Sequence, residues 1–158
     1  MILEKYSSPP QAPLIFSATT ESILEDNKRI CDNTKAVLDK LVTTITPKEA
    51  SFEHVLRPIA QDENERQLVS GVLGLYLKVS PDPAIREAAA KAEKERSHFL
   101  IDCAAREDVF RLVDSAFQKN EAAVDPESRK FLVEERRNYV RNGLSLSSQS
   151  ERDRLTEI

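Results

Sequence analysis

Apolar residues recur at helical spacing from about Thr20 to Thr44, and this pattern constrains the fold more than any other feature of the chain. Intervals of three, four and seven residues keep side chains on one side of an α-helix. The stripe consists of Ile23, Leu24, Ile30, Cys31, Val37, Leu38, Leu41 and Ile45. The pattern predicts a long first helix that turns one face inward for about six turns.

Capping signals predict where the other helices begin and end. Thr46-Pro47-Lys48-Glu49 predicts that a helix or a helical turn restarts there and continues through Ile59. An Asp followed by Pro predicts helix starts at 82–83 and 125–126, and Arg141-Asn142-Gly143 predicts a helix end. The apolar residues of these later helices are Ile85, Ala88, Ala92, Phe99, Cys103, Val109, Phe110, Val113, Phe117, Leu132, Tyr139 and Val140.

The stretch between residues 61 and 79 has two contrasting parts. The polar QDENERQ at 61–67 is compatible with an exposed middle turn of one long helix or with a break between two helices. LVSGVLGLYLKV at 68–79 is the most apolar stretch of the chain, and a lone strand there would have no partner. We predict a buried helix, in which Gly71 and Gly74 allow close helix packing at a cost of about 1 kcal/mol each relative to Ala.

These patterns predict an all-α protein, a bundle of about six helices joined by short turns that Pro or Gly marks. Residues 1–17 are expected to form an extended arm, because SSPPQAP at 7–13 cannot be helical, with LIF at 14–16 holding the arm against the body. Residues 18–147 form the predicted helical domain. Ser148 and Glu151 read as a capping box, so 148–158 are expected to hold only the start of a further helix.

Composition restricts the class of protein and its location. The formal net charge is −4 and the charges are interleaved, so we expect neither nucleic acid nor a membrane as a partner. The N-terminus has no signal-peptide core, and no apolar run approaches the ~20 residues of a membrane helix. Cys31 and Cys103 are the only cysteines and are expected to be reduced core thiols. A cytoplasmic location is predicted.

The residues that usually carry chemistry do not form a known motif. Neither His54 nor His98 has a second histidine one helical turn away, so the spacing of a zinc peptidase helix is missing. Cys103 lies five residues from His98, which points the two side chains in different directions on one helix. We therefore predict no catalytic, cofactor-binding or metal-binding residue in this chain.

Charged residues are expected to form solvated ion pairs. Four carboxylates lie beside basic residues, which favours ion pairs over acid–base catalysis. They are Glu93, Glu95, Glu134 and Glu135, beside Lys91, Lys94, Arg136 and Arg137. The basic stretch Arg129, Lys130, Arg136, Arg137 and Arg141 holds one aromatic residue, Tyr139, on the expected core face. This stretch does not predict nucleic-acid binding.

Three segments, taken in order, resemble one protein family. The sequence VSPDPAIREAAAKAEKERSHFLIDCAAREDVFRLV at 79–113 is similar to the N-terminal helical region of the thimet oligopeptidase and saccharolysin family of zinc metallopeptidases. SFEHVLRPIA at 51–60 and RNGLSL at 141–146 resemble segments that flank this region in the family. The positions of 79–113 that match are Val79, Ser80, Pro81, Asp82, Ile85, Arg86, Ala88, Ala92, Phe99, Arg106, Asp108 and Val109.

The resemblance implies a mostly helical, cytosolic or organellar enzyme that cuts short peptides in a channel between two lobes. The family's zinc lies on an HExxH helix far downstream, and this chain lacks that motif. No zinc or catalytic position of the family therefore maps onto this chain, and we expect the chain to be inactive alone. The resemblance further implies that the helix at 148–158 is the start of a long connecting helix, cut short.

The sequence and the resemblance lead us to expect one of two functions for this chain. The first is a non-catalytic N-terminal domain of a zinc oligopeptidase, which forms one wall of the channel and meets short peptides only with the rest of the enzyme. The alternative is an independent helical module that binds a protein. If the chain is a severed domain, we expect self-association through apolar surface at its C-terminal end, formed by Leu144, Leu146, Leu155 and Ile158.

Overall fold

A computed structural model describes residues 16–120 and 124–146 of the chain. Within those residues it contains five α-helices, one π-helical turn and no strand, so the all-α prediction is confirmed with five helices in place of about six. The helices are α1 Thr20–Thr44, α2 Arg57–Val79, α3 Pro83–Ala104, α4 Glu107–Asn120 and α5 Pro126–Arg141, and the π turn Phe52–Leu56 leads directly into α2. Most of the predicted arm, and all of 148–158, lie outside the described residues.

Side-chain caps begin α1, α3 and α5, close to the residues where the sequence predicts these helices to start. Thr19 and Ser22 form a reciprocal capping box, so α1 begins at Thr20. Asp82 accepts a hydrogen bond of 2.9 Å from the N–H of Ala84 at the start of α3. Asp125 accepts from the N–H groups of the residues two and three positions later, at 3.0 and 3.1 Å, and begins α5. Each cap satisfies backbone donors that have no partner inside the helix.

Gly143 ends α5 in the way the sequence predicts. Its φ of 83° lies in the left-handed region that glycine enters without steric cost. The N–H of Gly143 donates to the carbonyl of Val140 at 3.0 Å, and the N–H of Leu144 donates to the carbonyl of Tyr139 at 3.3 Å. This pair of bonds is the Schellman arrangement, which brings the following residue back onto the helix. Leu144, expected to be exposed, accordingly packs against the core.

The segment between α1 and α2 differs in detail from the helix that the Thr46 cap predicts. Glu49 accepts from the N–H and the hydroxyl of Thr46, at 3.1 and 2.7 Å, but only a single turn forms. Ser51 is extended and its hydroxyl oxygen accepts from the N–H of His54 at 3.2 Å. The extended backbone of Ser51 interrupts the helical conformation and its side chain caps the π turn, so the continuous helical segment begins at Phe52.

Helix α2 shows which of the two interpretations of 61–67 is right, and it corrects the predicted burial of 68–79. The polar segment is the middle of one long helix, and the apolar segment is helical as predicted. The predicted burial of 68–79 is wrong for part of the segment, however, because Leu68 is 57% exposed and Val79 is 67% exposed. Gly71 and Gly74 do not mediate close packing, since a Cβ added at either would meet no atom within 4 Å. The reason is that α1 and α3 cover only one side of this part of α2.

Two apolar cores lie along the bundle. The three-helix core joins α1, α2 and α3 through Ile23, Leu73, Tyr76, Ala88, Ala89 and Ala92. The larger core joins the second half of α1, the π turn, the start of α2, α4 and α5 through Leu38, Leu41, Ala50, Phe52, Val55, Leu56, Ile59, Val109, Phe110, Leu112, Val113, Ala116, Leu132 and Tyr139. The buried alanines confirm the tight packing predicted for the first half of α3. Helices α1 and α2 contribute to both cores and therefore couple them.

The described start of the chain contacts the three-helix core. Phe16 packs edge-on against the ring of Tyr76, with ring centroids 5.8 Å apart. The N–H of Ala18 donates to the hydroxyl of Tyr76 at 2.9 Å. Leu14 and Ile15, the other residues expected to hold the arm, lie outside the described residues. In the part of the chain that the structure describes, no helix is long and apolar enough to span a membrane.

Candidate functional site

Polar side chains occupy inward positions between the two cores. We call these residues the polar layer: Asn27 and Thr34 on α1, Asp62 and Arg66 on α2, Arg96 on α3 and Glu135 on α5. On α1, buried Asn27 and Thr34 alternate with Ile23, Ile30 and Leu38. Several residues of the predicted α1 stripe, such as Leu24 and Cys31, are only half-buried. The inward face of α1 is therefore more polar than its apolar spacing predicts.

Two hydrogen bonds connect the helices within the polar layer. A guanidinium nitrogen of Arg96, Nη1, donates to Oδ1 of Asn27 at 2.8 Å, and both residues are buried. Thr34 Oγ1 donates to Oδ2 of Asp62 at 2.6 Å. Arg66 differs, because its Nε is buried and has no hydrogen-bond partner. Buried polar groups normally require partners, so the first two bonds stabilise α1 against α3 and α2, and Arg66 adds an unsatisfied donor.

A cavity of about 190 Å³ lies beside the polar layer, where α1, α2, α3 and α5 meet. Its polar lining includes Thr34, Asp62, Glu63, Arg66, Glu135 and Asn138, and its other lining residues include Leu38, Ile59 and Tyr139 of the larger core and Cys103 of α3. Three carboxylates and one guanidinium group thus line a partly apolar space. We treat this cavity as the candidate site, because buried or half-buried polar side chains from α1, α2 and α5 line it.

Burial beside the cavity disfavours the charged form of three of its lining groups, and so raises the pKa of each. Burial raises the pKa of Glu135, and the negative charge of Glu63 adds to the increase. Burial also raises the pKa of Cys103 and the pKa of Tyr139, the latter with a smaller contribution from Glu135. Because desolvation penalises the charged form of each group, the thiol of Cys103 stays protonated at neutral pH. A protonated thiol is a poor nucleophile, so the cavity lacks an activated cysteine.

The two histidines lie on exposed surface. His54 is in the π turn, where its Nδ1 is 3.3 Å from the carbonyl oxygen of Glu49. His98 is exposed on α3, whereas Cys103 on the same helix lines the cavity. Among residues 16–120 and 124–146 no group of three His, Cys, Asp or Glu side chains could hold a metal ion. These donors do not fit a zinc site, and the predicted absence of site residues stays a prediction.

Two of the four predicted carboxylates form ion pairs on the surface. Lys91 pairs with Glu95 at 4.0 Å, and Arg137 pairs with Glu134 at 2.7 Å. Glu135 instead lines the cavity.

The basic stretch is partly used inside the fold. Arg136 binds Asp114 at 2.7 Å and lies 4.7 Å above the ring centre of Phe117, which connects α5 to α4. The basic stretch of the sequence is therefore not one open surface.

The sequence does not identify Asp62, Glu63 and Arg66 as site residues, because QDENERQ is compatible with an exposed turn or with a break between two helices. A signal was present. Asp62 and Arg66 fall three and seven residues after the buried Ile59, on the same helical face, so a polar interruption of an inward stripe was visible in the spacing.

The fold and the site together define an all-α domain with a partly polar cavity between its helices and no recognisable catalytic group among the described residues. No protein-family model matches the chain.

Known oligopeptidases do match the sequence. The chain is 30% identical over 146 residues to oligopeptidase PhomG′ of Diaporthe leptostromiformis, covering 90% of this chain and 12% of that protein. It is 32% identical over 130 residues to the probable thimet oligopeptidase of Arabidopsis thaliana, covering 81% and 17% respectively. It is 25% identical over 146 residues to oligopeptidase PhomG of Diaporthe leptostromiformis, covering 90% and 18%.

The chain is homologous over most of its length to oligopeptidases of the thimet oligopeptidase type, which confirms the family resemblance of its motifs. The match falls in a small N-terminal portion of these relatives. The chain spans less than a fifth of the length of each relative named above.

Proposed function

We propose that the chain is the non-catalytic N-terminal helical domain of an oligopeptidase that hydrolyses short peptides. The observation that carries this proposal is the uneven coverage of the homology, which includes 81–90% of this chain but only 12–18% of its relatives. On this proposal the zinc and the catalytic residues that the resemblance implies lie in polypeptide that follows the domain.

In the intact enzyme the domain forms one wall of the substrate channel and excludes folded proteins by size. A wall of this kind must be rigid. Two coupled apolar cores and side-chain caps at the starts of α1, α3 and α5 support rigidity. We further propose a cytoplasmic location, and partners that include neither nucleic acid nor membrane.

The alternative function is an independent helical interaction module. The observation that favours it is the apolar stripe formed by Leu68, Val72, Leu75 and Val79, which we call the α2 stripe. Large exposed apolar patches on a domain often mark a surface that binds a partner. Self-association of the chain through this stripe is the simplest form of the alternative.

The test is the complete reading frame of the gene, expressed as one protein beside the chain of 158 residues. We expect the longer protein to cleave a fluorogenic short peptide in a chelator-sensitive manner. The chain alone should neither cleave the peptide nor bind one equivalent of zinc by metal analysis. Turnover by the chain alone, or a reading frame without a peptidase, contradicts the proposal.

The wall role needs a second measurement. A series of peptides of increasing length should show a sharp size limit with the longer protein. Removing residues 18–147 from it should raise that limit or abolish folding, and circular dichroism distinguishes these outcomes. A folded, active deletion protein with an unchanged size limit would contradict the wall role alone.

A further inference from the structure

The second half of α2 exposes an apolar stripe that the described residues leave uncovered. In the α2 stripe, Leu68, Leu75 and Val79 are 57%, 39% and 67% exposed, and Val72 is half-buried. Their intervals of four, three and four residues place them on one face of the helix. Intervals of this kind are typical of a helix that packs along a second helix.

The surroundings of the α2 stripe suit a helix better than a flat surface. A groove of about 490 Å³ runs between α1 and α2, with Leu68 and Val72 on one wall and Asp26 and Arg29 on the other. Gly71 borders the stripe, and the space over its Cα is open. A glycine at the edge of an apolar stripe lets the backbone of a second helix approach closely.

The size of the α2 stripe argues against a separate protein as its occupant. Residues 68 to 79 extend about 17 Å along the axis, and a helix about 10 Å wide covers a few hundred Å² there. Stable interfaces between separate proteins bury about 800 Å² on each side. A contact this small suffices when both helices belong to one polypeptide, because a linker holds the effective concentration near the millimolar range.

We propose that the α2 stripe is the docking face for an amphipathic helix from the part of the oligopeptidase polypeptide that lies outside these 158 residues. The inference rests on the proposed function, in which most of the polypeptide lies beyond this domain, as the 12–18% coverage of the relatives indicates. The docking helix carries apolar residues at i, i+3, i+4 and i+7 toward the stripe.

Thiol labelling measures whether the stripe is covered. The Leu75→Cys variant is made in the chain of 158 residues and in the protein from the complete reading frame, and alkylation by iodoacetamide is followed by peptide mass spectrometry. This readout separates the new thiol from Cys31 and Cys103. The comparison variant is Ile101→Cys, because Ile101 is an equally apolar residue on α3 that is 65% exposed.

We expect alkylation of the Leu75→Cys variant to be at least tenfold slower in the longer protein than in the chain alone, with a smaller change for Ile101→Cys. Adding Gly71→Leu should restore fast alkylation in the longer protein, because bulk beside the stripe displaces the docked helix. The same substitution should leave the melting temperature of the chain alone unchanged or higher, since the site is open there.

The results separate this inference from the proposed function. An active peptidase whose Leu75→Cys thiol reacts as fast as in the chain alone overturns the inference and leaves the proposed function standing. Equal protection of Leu75→Cys and Ile101→Cys also overturns it, because the cover is then not specific to the stripe. A reading frame without a peptidase overturns both. A dimer of the chain that Leu75→Lys disrupts and Ile101→Lys does not makes a second copy the occupant, which overturns the inference.

Discussion

Removing the hydrogen-bond acceptor of Arg96 tests the energetic role of the polar layer. In the Asn27→Leu variant the buried guanidinium loses the oxygen that it donates to at 2.8 Å. A hydrogen bond to a charged group contributes about 1.5–3 kcal/mol, so we expect the free energy of unfolding to fall by roughly that amount. For a chain of this length each 1 kcal/mol lowers the melting temperature by about 2–4 °C. Urea titration followed by circular dichroism should show a lower midpoint and an unchanged slope.

The double variant Asn27→Leu/Arg96→Met tests whether the two side chains are energetically coupled. Replacing both members of a buried polar pair by apolar groups is nearly neutral, so the double variant should lie within about 1 kcal/mol of the wild type. The matched control is Asn33→Leu, an exposed position on the same helix, which should change stability by less than about 0.5 kcal/mol. If the two single losses simply add in the double variant, Arg96 and Asn27 are not coupled, and the role argued for the polar layer is wrong.

Three further predictions concern single side chains. Burial raises the folded-state pKa of Glu135, so its contribution to stability is present at acid pH and is lost as pH rises through that pKa. The free energy of unfolding of Glu135→Gln, measured by urea titration, should therefore equal that of the wild type near pH 4 and exceed it at pH 7. Gly71→Ala should raise the free energy of unfolding by about 0.5–1 kcal/mol, because the site is helical and an added Cβ meets no atom within 4 Å; a lower melting temperature would contradict the open geometry. Gly143→Ala should cost about 1–2 kcal/mol in chemical denaturation because its φ is 83°, and a neutral result would mean that α5 ends without the left-handed residue.

Local signals in the sequence predicted the helices well. The bounds Thr20–Thr44 of α1 follow from a cap and an apolar period that both lie within the segment itself. The starts of α3 and α5 follow from Asp–Pro pairs, where a side-chain acceptor and a fixed φ act within one turn. These features depend on neighbours in the sequence, and so they are visible without the fold.

Burial could not be predicted in the same way, because it depends on which helices cover a face. The segment 68–79 is the most apolar of the chain, yet Leu68 and Val79 are more than half exposed. The cavity could not be predicted either, because its polar residues come together only through the packing of different helices. Glu63 and Glu135 lie on different helices, and only the packing of α2 near α5 places both at one cavity. Of the site, the spacing of Asp62 and Arg66 after Ile59 was the one part that the sequence contained.

The polar layer and the α2 stripe have a common origin in the register of α2. We infer that sliding α2 along α1 by one turn is unfavourable, because it would separate Asp62 from Thr34 and place a carboxylate in an apolar core. Apolar cores alone tolerate repacking, so the polar contacts are what select one register. At 100° per residue, the direction that turns Asp62 and Arg66 inward turns Leu68 and Leu75 nearly half a turn away, toward solvent. The same contacts that fix α2 in the bundle therefore determine which of its apolar residues remain exposed.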